Sequence, residues 1–133
     1  MIVLDTHVLL WVDSDERKLG RKTRALVERH WSNAEVAVCA VSFWETGMLA
    51  ERGRVRLGKP VAEWRADLLS AGLAELPLDG STALRALDLA GLPGDPADRF
   101  IAACALVHGA TLVTADERVL GWRHALPRHD AAA

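Results

Sequence analysis

The sequence predicts an α/β fold built on a parallel sheet. Two apolar runs each end at a carboxylate: Met1-Ile2-Val3-Leu4 stops at Asp5, and Thr111-Leu112-Val113-Thr114 leads into Ala115-Asp116. Short apolar runs suit strands that are buried on both faces. Between them, segments with apolar residues at helical spacing alternate with further strand-like runs. That alternation is the order a parallel sheet with right-handed crossovers requires. In such sheets, ligands bind beyond the carboxyl ends of the strands.

Each element follows from local chemistry. The first strand covers 2–5, and a short helix runs near 6–12. Leu19, Thr23, Leu26, Val27 and His30 stripe a helix near 20–31. Glu35 to Ala40 reads as a strand, followed by a helix near 42–52 that Gly53 ends. Pro60 opens a helix marked by Val61, Trp64, Leu68 and Ala71. Leu73 to Leu76 is a short strand stopped by Pro77. Ala83, Leu87 and Ala90 stripe a helix that ends at Gly91. Gly94-Asp95-Pro96-Ala97 starts a helix near 97–108 that is apolar nearly all round and so expected to be buried; Gly109 ends it. Strand 111–114, a helical turn from 116 and a last strand near 125–128 complete the chain.

The size, 133 residues, fits one domain. No run approaches the roughly 18 apolar residues of a membrane span, and the immediate entry into a strand leaves no secretory signal. The two cysteines, Cys39 and Cys104, sit among apolar neighbours and read as buried reduced thiols, which points to the cytosol. Sixteen Lys+Arg against 18 Asp+Glu give a net charge of -2. That excludes a broadly basic surface of the kind that binds nucleic acid indiscriminately. A few acids gathered at one site would nevertheless leave the remainder slightly basic.

Asp5, Glu45, Asp98 and Asp116 all lie just past strands or just inside helices. Each has a structural explanation. Ser42-Phe43-Trp44-Glu45 is a capping box with Glu45 at its fourth position. Asp95-Pro96-Ala97-Asp98 pairs an N-cap acid with proline and a second acid in the first turn. Asp5 and Asp116 can cap the helices after their strands. Taken jointly, parallel strands would bring these acids to one edge. Two unit charges ~5 Å apart at an effective dielectric of ~20 repel by about 3 kcal/mol. Protons or a divalent cation must offset such a cluster. The five histidines (7, 30, 108, 124, 129) form no zinc-binding spacing. Carboxylate and water ligands favour Mg²⁺ or Mn²⁺, ions that serve phosphoryl chemistry.

Asp5-Thr6-His7-Val8-Leu9-Leu10-Trp11, Ser42-Phe43-Trp44-Glu45, Asp95-Pro96-Ala97-Asp98-Arg99-Phe100-Ile101-Ala102-Ala103 and Thr114-Ala115-Asp116 together resemble the motifs of PIN-domain nucleases. The closest resemblance is to VapC-type toxins of bacterial toxin–antitoxin pairs, and it covers nearly the whole chain. It implies a three-layer α/β/α fold with strand order 3-2-1-4-5 and metal-dependent cleavage of RNA. It implies that Asp5, Glu45, Asp98 and Asp116 hold Mg²⁺ or Mn²⁺, with Thr6 and Thr114 as hydroxyls beside them. It also favours a homodimer and a VapB-like antitoxin that covers the site.

Other residues keep two readings each. Asp95 is an N-cap first and an additional site acid second. Arg99 is a structural partner of nearby carboxylates, or a substrate clamp. His7 packs or hydrogen-bonds, or joins the site. Arg52, Arg54, Arg56 and Lys59 form a solvated loop or contact RNA phosphates. Arg17, Lys18, Arg21, Lys22 and Arg24 read as a solvated helix face. Trp11, Trp44 and Trp64 lie on helical stripes and are expected in the core; the alternative is an apolar face for a second subunit or an antitoxin.

Rival classes fit less well. A phosphoacceptor receiver domain would want adjacent acids after the first strand, where Thr6-His7 stand. A haloacid-dehalogenase-like phosphatase would want Asp-x-Asp, and position 7 is histidine. The remaining rival is a PIN fold that binds RNA or protein without cutting, against which the complete acid set argues.

Overall fold

The computed structural model describes residues 1–92 and 95–133. Its elements are β1 (Ile2–Leu4), α1 (Thr6–Ser14), α2 (Arg21–Ser32), β2 (Val36–Cys39), α3 (Val41–Glu51), α4 (Val61–Ser70), β3 (Ala74–Leu76), α5 (Gly80–Leu87), α6 (Pro96–Val107), β4 (Thr111–Thr114), α7 (Glu117–Leu120) and β5 (Arg128–Asp130). Gly94, expected to begin the sixth helix, lies outside the described residues.

All four strand pairings are parallel, and the order is β3-β2-β1-β4-β5. β1 is central, with Ile2 opposite Val36 on one side and Thr111 on the other. Alternation along the strands divides the core in two. Val3, Ala37, Cys39 and Leu112 face a cluster with Ala86, Ile101 and Trp122. Ile2, Leu4, Val36, Val38 and Val113 face a second cluster with Val8, Leu9, Val27 and Trp64. α1, α2 and α4 thus cover one face and α5, α6 and α7 the other. α3 contributes to both, through Phe43 and Val41. A sheet covered on both faces needs apolar residues at every strand position, which is why β1, β2 and most of β4 are continuous apolar runs.

Several expectations are corrected. The last strand is Arg128–Asp130, not 125–128. It is polar because it is an edge strand held by backbone pairing to β4, with Leu126 buried just before it. The Asp79 side chain accepts from Thr82 N at 2.9 Å and sets the start of α5 at Gly80. Thr82, Ala86 and Leu89 therefore face inward, while Leu87 is 77% exposed and Ala90 lies beyond the helix. Trp64 is buried, and its indole donates to Asp13 Oδ2 at 2.9 Å. Trp44 is 59% exposed and so is not a core residue, because its side of α3 meets no neighbouring layer. Cys39 and Cys104 are free and buried, as expected, with their sulfurs in contact between β2 and α6.

Arg99 does not pair with carboxylates. Its guanidinium donates to the carbonyls of Ala86 (3.2 Å), Leu89 (3.1 Å) and Leu92 (3.3 Å). It therefore ties the end of α5 and the segment after it to the first turn of α6. Arg99→Ala is expected to destabilise the fold by about 2 kcal/mol, since charged donors are withdrawn from half-buried carbonyls. Urea denaturation checks this; a loss below about 0.5 kcal/mol, ordinary for an exposed position, would contradict the role.

Candidate active site

Parallel pairing places the carboxyl ends of all strands on one edge, and the acids gather there. Asp5 follows β1 directly and Asp116 follows β4 by two residues. Glu45 stands one turn into α3, which leaves the end of β2, and Asp98 lies in the first turn of α6. A cleft of about 360 Å³ is lined by Asp5, Glu45, Asp95, Asp98 and Asp116 together with His7, Trp11, Ala115 and Arg118. The four expected acids converge, and Asp95 joins them. Asp95 is also the N-cap, accepting from Asp98 N at 3.1 Å, so both of its readings hold structurally. His7 is exposed and forms part of the wall.

The expected capping box at Ser42–Glu45 does not form. α3 starts at Val41 after Ala40, with no side-chain cap. Glu45 turns instead to β1's side of the edge, where Thr6 Oγ1 donates to Glu45 Oε1 at 2.5 Å. The Thr6 hydroxyl also lies 2.9 Å from Ser42 Oγ. On the other flank, Thr114 Oγ1 donates to Asp5 Oδ2 at 2.8 Å and accepts from Asp116 N at 3.1 Å. Asp5 Oδ1 accepts from Thr6 N at 2.7 Å. Thr6 and Thr114 are both buried, so each fixes the carboxylate beside it.

Crowding shows in the acidities. Burial raises Asp5 above the usual carboxylate range, against the hydrogen bonds from Thr114 and Thr6. Burial also raises Glu45, helped by Asp5 and Asp95 and opposed by the Thr6 hydroxyl. Asp98 is pushed up to about 7, first by burial and then by Asp95, Asp5, Glu45 and Asp116. Asp116 moves the other way, held low by the Arg118 side chain and by backbone donors. Among the described residues, no three His, Cys, Asp or Glu side chains converge tightly enough to hold an ion as they stand. Asp5, Glu45 and Asp116 are each turned to a separate partner: Thr114, Thr6 and Arg118. The donor set itself, oxygen only and with surplus negative charge, fits a hard divalent cation.

The basic run divides. Lys59 pairs with Asp67 at 2.6 Å, and Arg52 is exposed and lines neither cleft. Arg54 and Arg56 line a second groove of about 410 Å³ between α1 and the segment after α3. His7 and Trp11 line both clefts, so the two adjoin. Arg118 is the site residue that sequence reasoning missed. The available signal was a cation two residues after a site acid, within reach of it across one turn.

The profile of the PIN domain family matches residues 2–122. Over 127 residues, 95% of each chain, the sequence is 36% identical to Ribonuclease VapC22 of Mycobacterium tuberculosis. Among solved structures, the fold resembles VapBC2 from Rickettsia felis bound to a promoter DNA fragment, with a TM-score of 0.71, 18% identity and coverage of 97% and 98% of the two chains. DNA-bound VapBC from Salmonella typhimurium matches with a TM-score of 0.65 and 17% identity over 97% and 96%. The chain belongs to the PIN-domain family, in its VapC-type branch.

The acidity of Asp98 makes stability depend on pH. Its carboxyl ordinarily titrates near 3.8 and in the fold near 7, so folding takes up a proton between those values. Without a cation, its contribution to stability is present at low pH and is lost as pH rises through 7. Asp98→Asn is therefore expected to match the wild type below pH 4 and to exceed it by about 2–4 kcal/mol at pH 8 in EDTA. Denaturation curves across that range check this; a constant difference would contradict it.

Proposed function

We propose that this chain is a metal-dependent ribonuclease toxin that hydrolyses RNA phosphodiester bonds and is held in check by a VapB-like antitoxin. The observation that carries the reading is the convergence of Asp5, Glu45, Asp98 and Asp116 in one cleft at the carboxyl edge of the sheet. The ribonuclease name of the 36% identical relative and the toxin–antitoxin complexes among the structural neighbours support it.

In this reading, Asp5, Asp98 and Asp116 hold Mg²⁺ or Mn²⁺, and Glu45 either holds a second ion or orients the attacking water. When bound, the metal supplies neutralisation of phosphate charge and acidifies a water. The remaining work belongs to the chain. Thr114 keeps the Asp5 carboxylate aimed into the cleft, and Thr6 does the same for Glu45. Arg54 and Arg56 take phosphates of the strand as it runs through the adjoining groove, and Trp11 offers a face on which a base can stack. Hydrolytic attack leaves a 5′-phosphate and a 3′-hydroxyl. The lining of the cleft has no lysine and one histidine, His7, which does not favour a route through the 2′-hydroxyl. The same reading includes a homodimer, for which exposed Leu84 and Leu87 of α5 and Val107 of α6 offer an apolar face. Trp44, exposed on α3, is a second apolar contact for a partner.

The test is cleavage of a mixed RNA pool by antitoxin-free protein with Mg²⁺, with Mn²⁺ and with EDTA. Cutting should require the metal, fall to background in Asp5→Asn, and leave 5′-phosphates in the sequenced ends. Full activity in folded Asp5→Asn protein would overturn the assignment. RNA bound but uncut in either metal would favour the non-catalytic binding module.

The groove makes a separate prediction, best measured in Asp5→Asn protein so that RNA stays intact. Arg54→Ala with Arg56→Ala is expected to weaken RNA binding and to reduce the salt slope by about 1–1.5, the value for two phosphate contacts on a single strand. Lys59→Ala should leave the slope unchanged.

A further inference from the structure

Arg118 reaches into the rim of the acidic cleft. Its Nη2 lies 2.9 Å from Asp116 Oδ2, its Nε lies 3.2 Å from Asp116 Oδ1, and Nη2 is 3.9 Å from Asp98 Oδ2. Both oxygens of Asp116 are thus engaged by one guanidinium. A bidentate fork of this kind is the preferred geometry of arginine with a carboxylate. Among the described residues lining the cleft, Arg118 is the one Lys or Arg.

Its setting differs from that of the other arginines of the fold. Arg99 is pinned on three backbone carbonyls, and Arg128 donates to the carbonyls of Leu126, Val119, Trp122 and His124. Arg118 makes no side-chain hydrogen bond except to Asp116, and its side chain is 59% exposed. Its side chain is thus held through Asp116, with more than half of it facing solvent.

We propose that Arg118 is a built-in counter-cation that occupies Asp116 and reaches Asp98, and that a divalent metal must displace it before these acids close around the ion. The inference rests on the metal-dependent reading of the same site. It accounts for two facts together: the acids share one cleft, yet among the described residues no three of them stand close enough to hold an ion as they are. Turning Asp116 inward requires releasing Arg118. Arg118 is a positioning residue in this scheme, and its removal should favour metal binding.

The test is Mn²⁺ affinity of the antitoxin-free protein, by calorimetric titration without RNA. Arg118→Gln is expected to bind Mn²⁺ about two- to fivefold more tightly than wild type, the scale of a partly exposed ion pair. Arg118→Lys, which keeps the charge and loses the fork, should fall between them. Arg123→Gln, a neighbouring exposed cation that touches none of the acids, should leave the affinity unchanged. In an Asp116→Asn background, Arg118→Gln should give no gain. Equal or weaker binding in folded Arg118→Gln protein would overturn the proposal, as would an equal gain in Arg123→Gln or a gain that persists without Asp116. Wild-type protein that binds no Mn²⁺ would overturn the metal reading itself, and the proposal with it.

Discussion

Like charges brought together at the edge of a parallel sheet are the constraint on which the rest of this structure depends. The central strand delivers Asp5 to that edge, and its neighbours and two helix starts deliver Asp116, Glu45 and Asp98. Water cannot screen them fully, because Asp5 and Asp98 are both partly buried. The fold offsets the repulsion in three ways. Buried hydroxyls of Thr6 and Thr114 donate to Glu45 and Asp5. A raised pKa lets Asp98 carry a proton near neutral pH. A guanidinium, from Arg118, neutralises Asp116.

The scaffold makes that arrangement possible by being well packed beneath it. Two apolar clusters, one on each face, leave the strands no freedom to shift register, since a one-residue slip would exchange the faces. The acids are therefore held at fixed heights along the edge. α6 adds a second restraint: Asp95 caps it, Pro96 opens it, and Arg99 ties it to the preceding segment. Asp98 sits in the same turn and inherits that rigidity.

The acidic cleft and the groove that carries arginines are separate but adjoining. The cleft that crowds acids adjoins, at His7 and Trp11, a groove bearing Arg54 and Arg56. The cleft sets five acids against one arginine, whereas the groove sets Arg54 and Arg56 against Asp13 and Glu16. The near-neutral overall charge hides the acidic cleft, because basic residues elsewhere in the chain offset it in the sum.

What the sequence determined by itself was whatever is encoded locally. Apolar runs marked β1, β2 and β4; Asp95-Pro96 marked the start of α6; and the acids at strand ends could be named because parallel pairing leaves them only one edge to share. The polar strand Arg128–Asp130 escaped, since edge pairing uses the backbone and needs no apolar pattern. Leu87 and Trp44 were misplaced because helical spacing identifies a stripe but not whether a neighbour covers it. The tertiary structure alone decided which hydrogen bonds the site residues make. Glu45 left its expected cap for Thr6, 39 residues away, Arg99 chose carbonyls over carboxylates, and Arg118 entered the cleft. Those choices depend on distances between segments that are remote in sequence, and such distances exist only once the two cores have closed on the sheet.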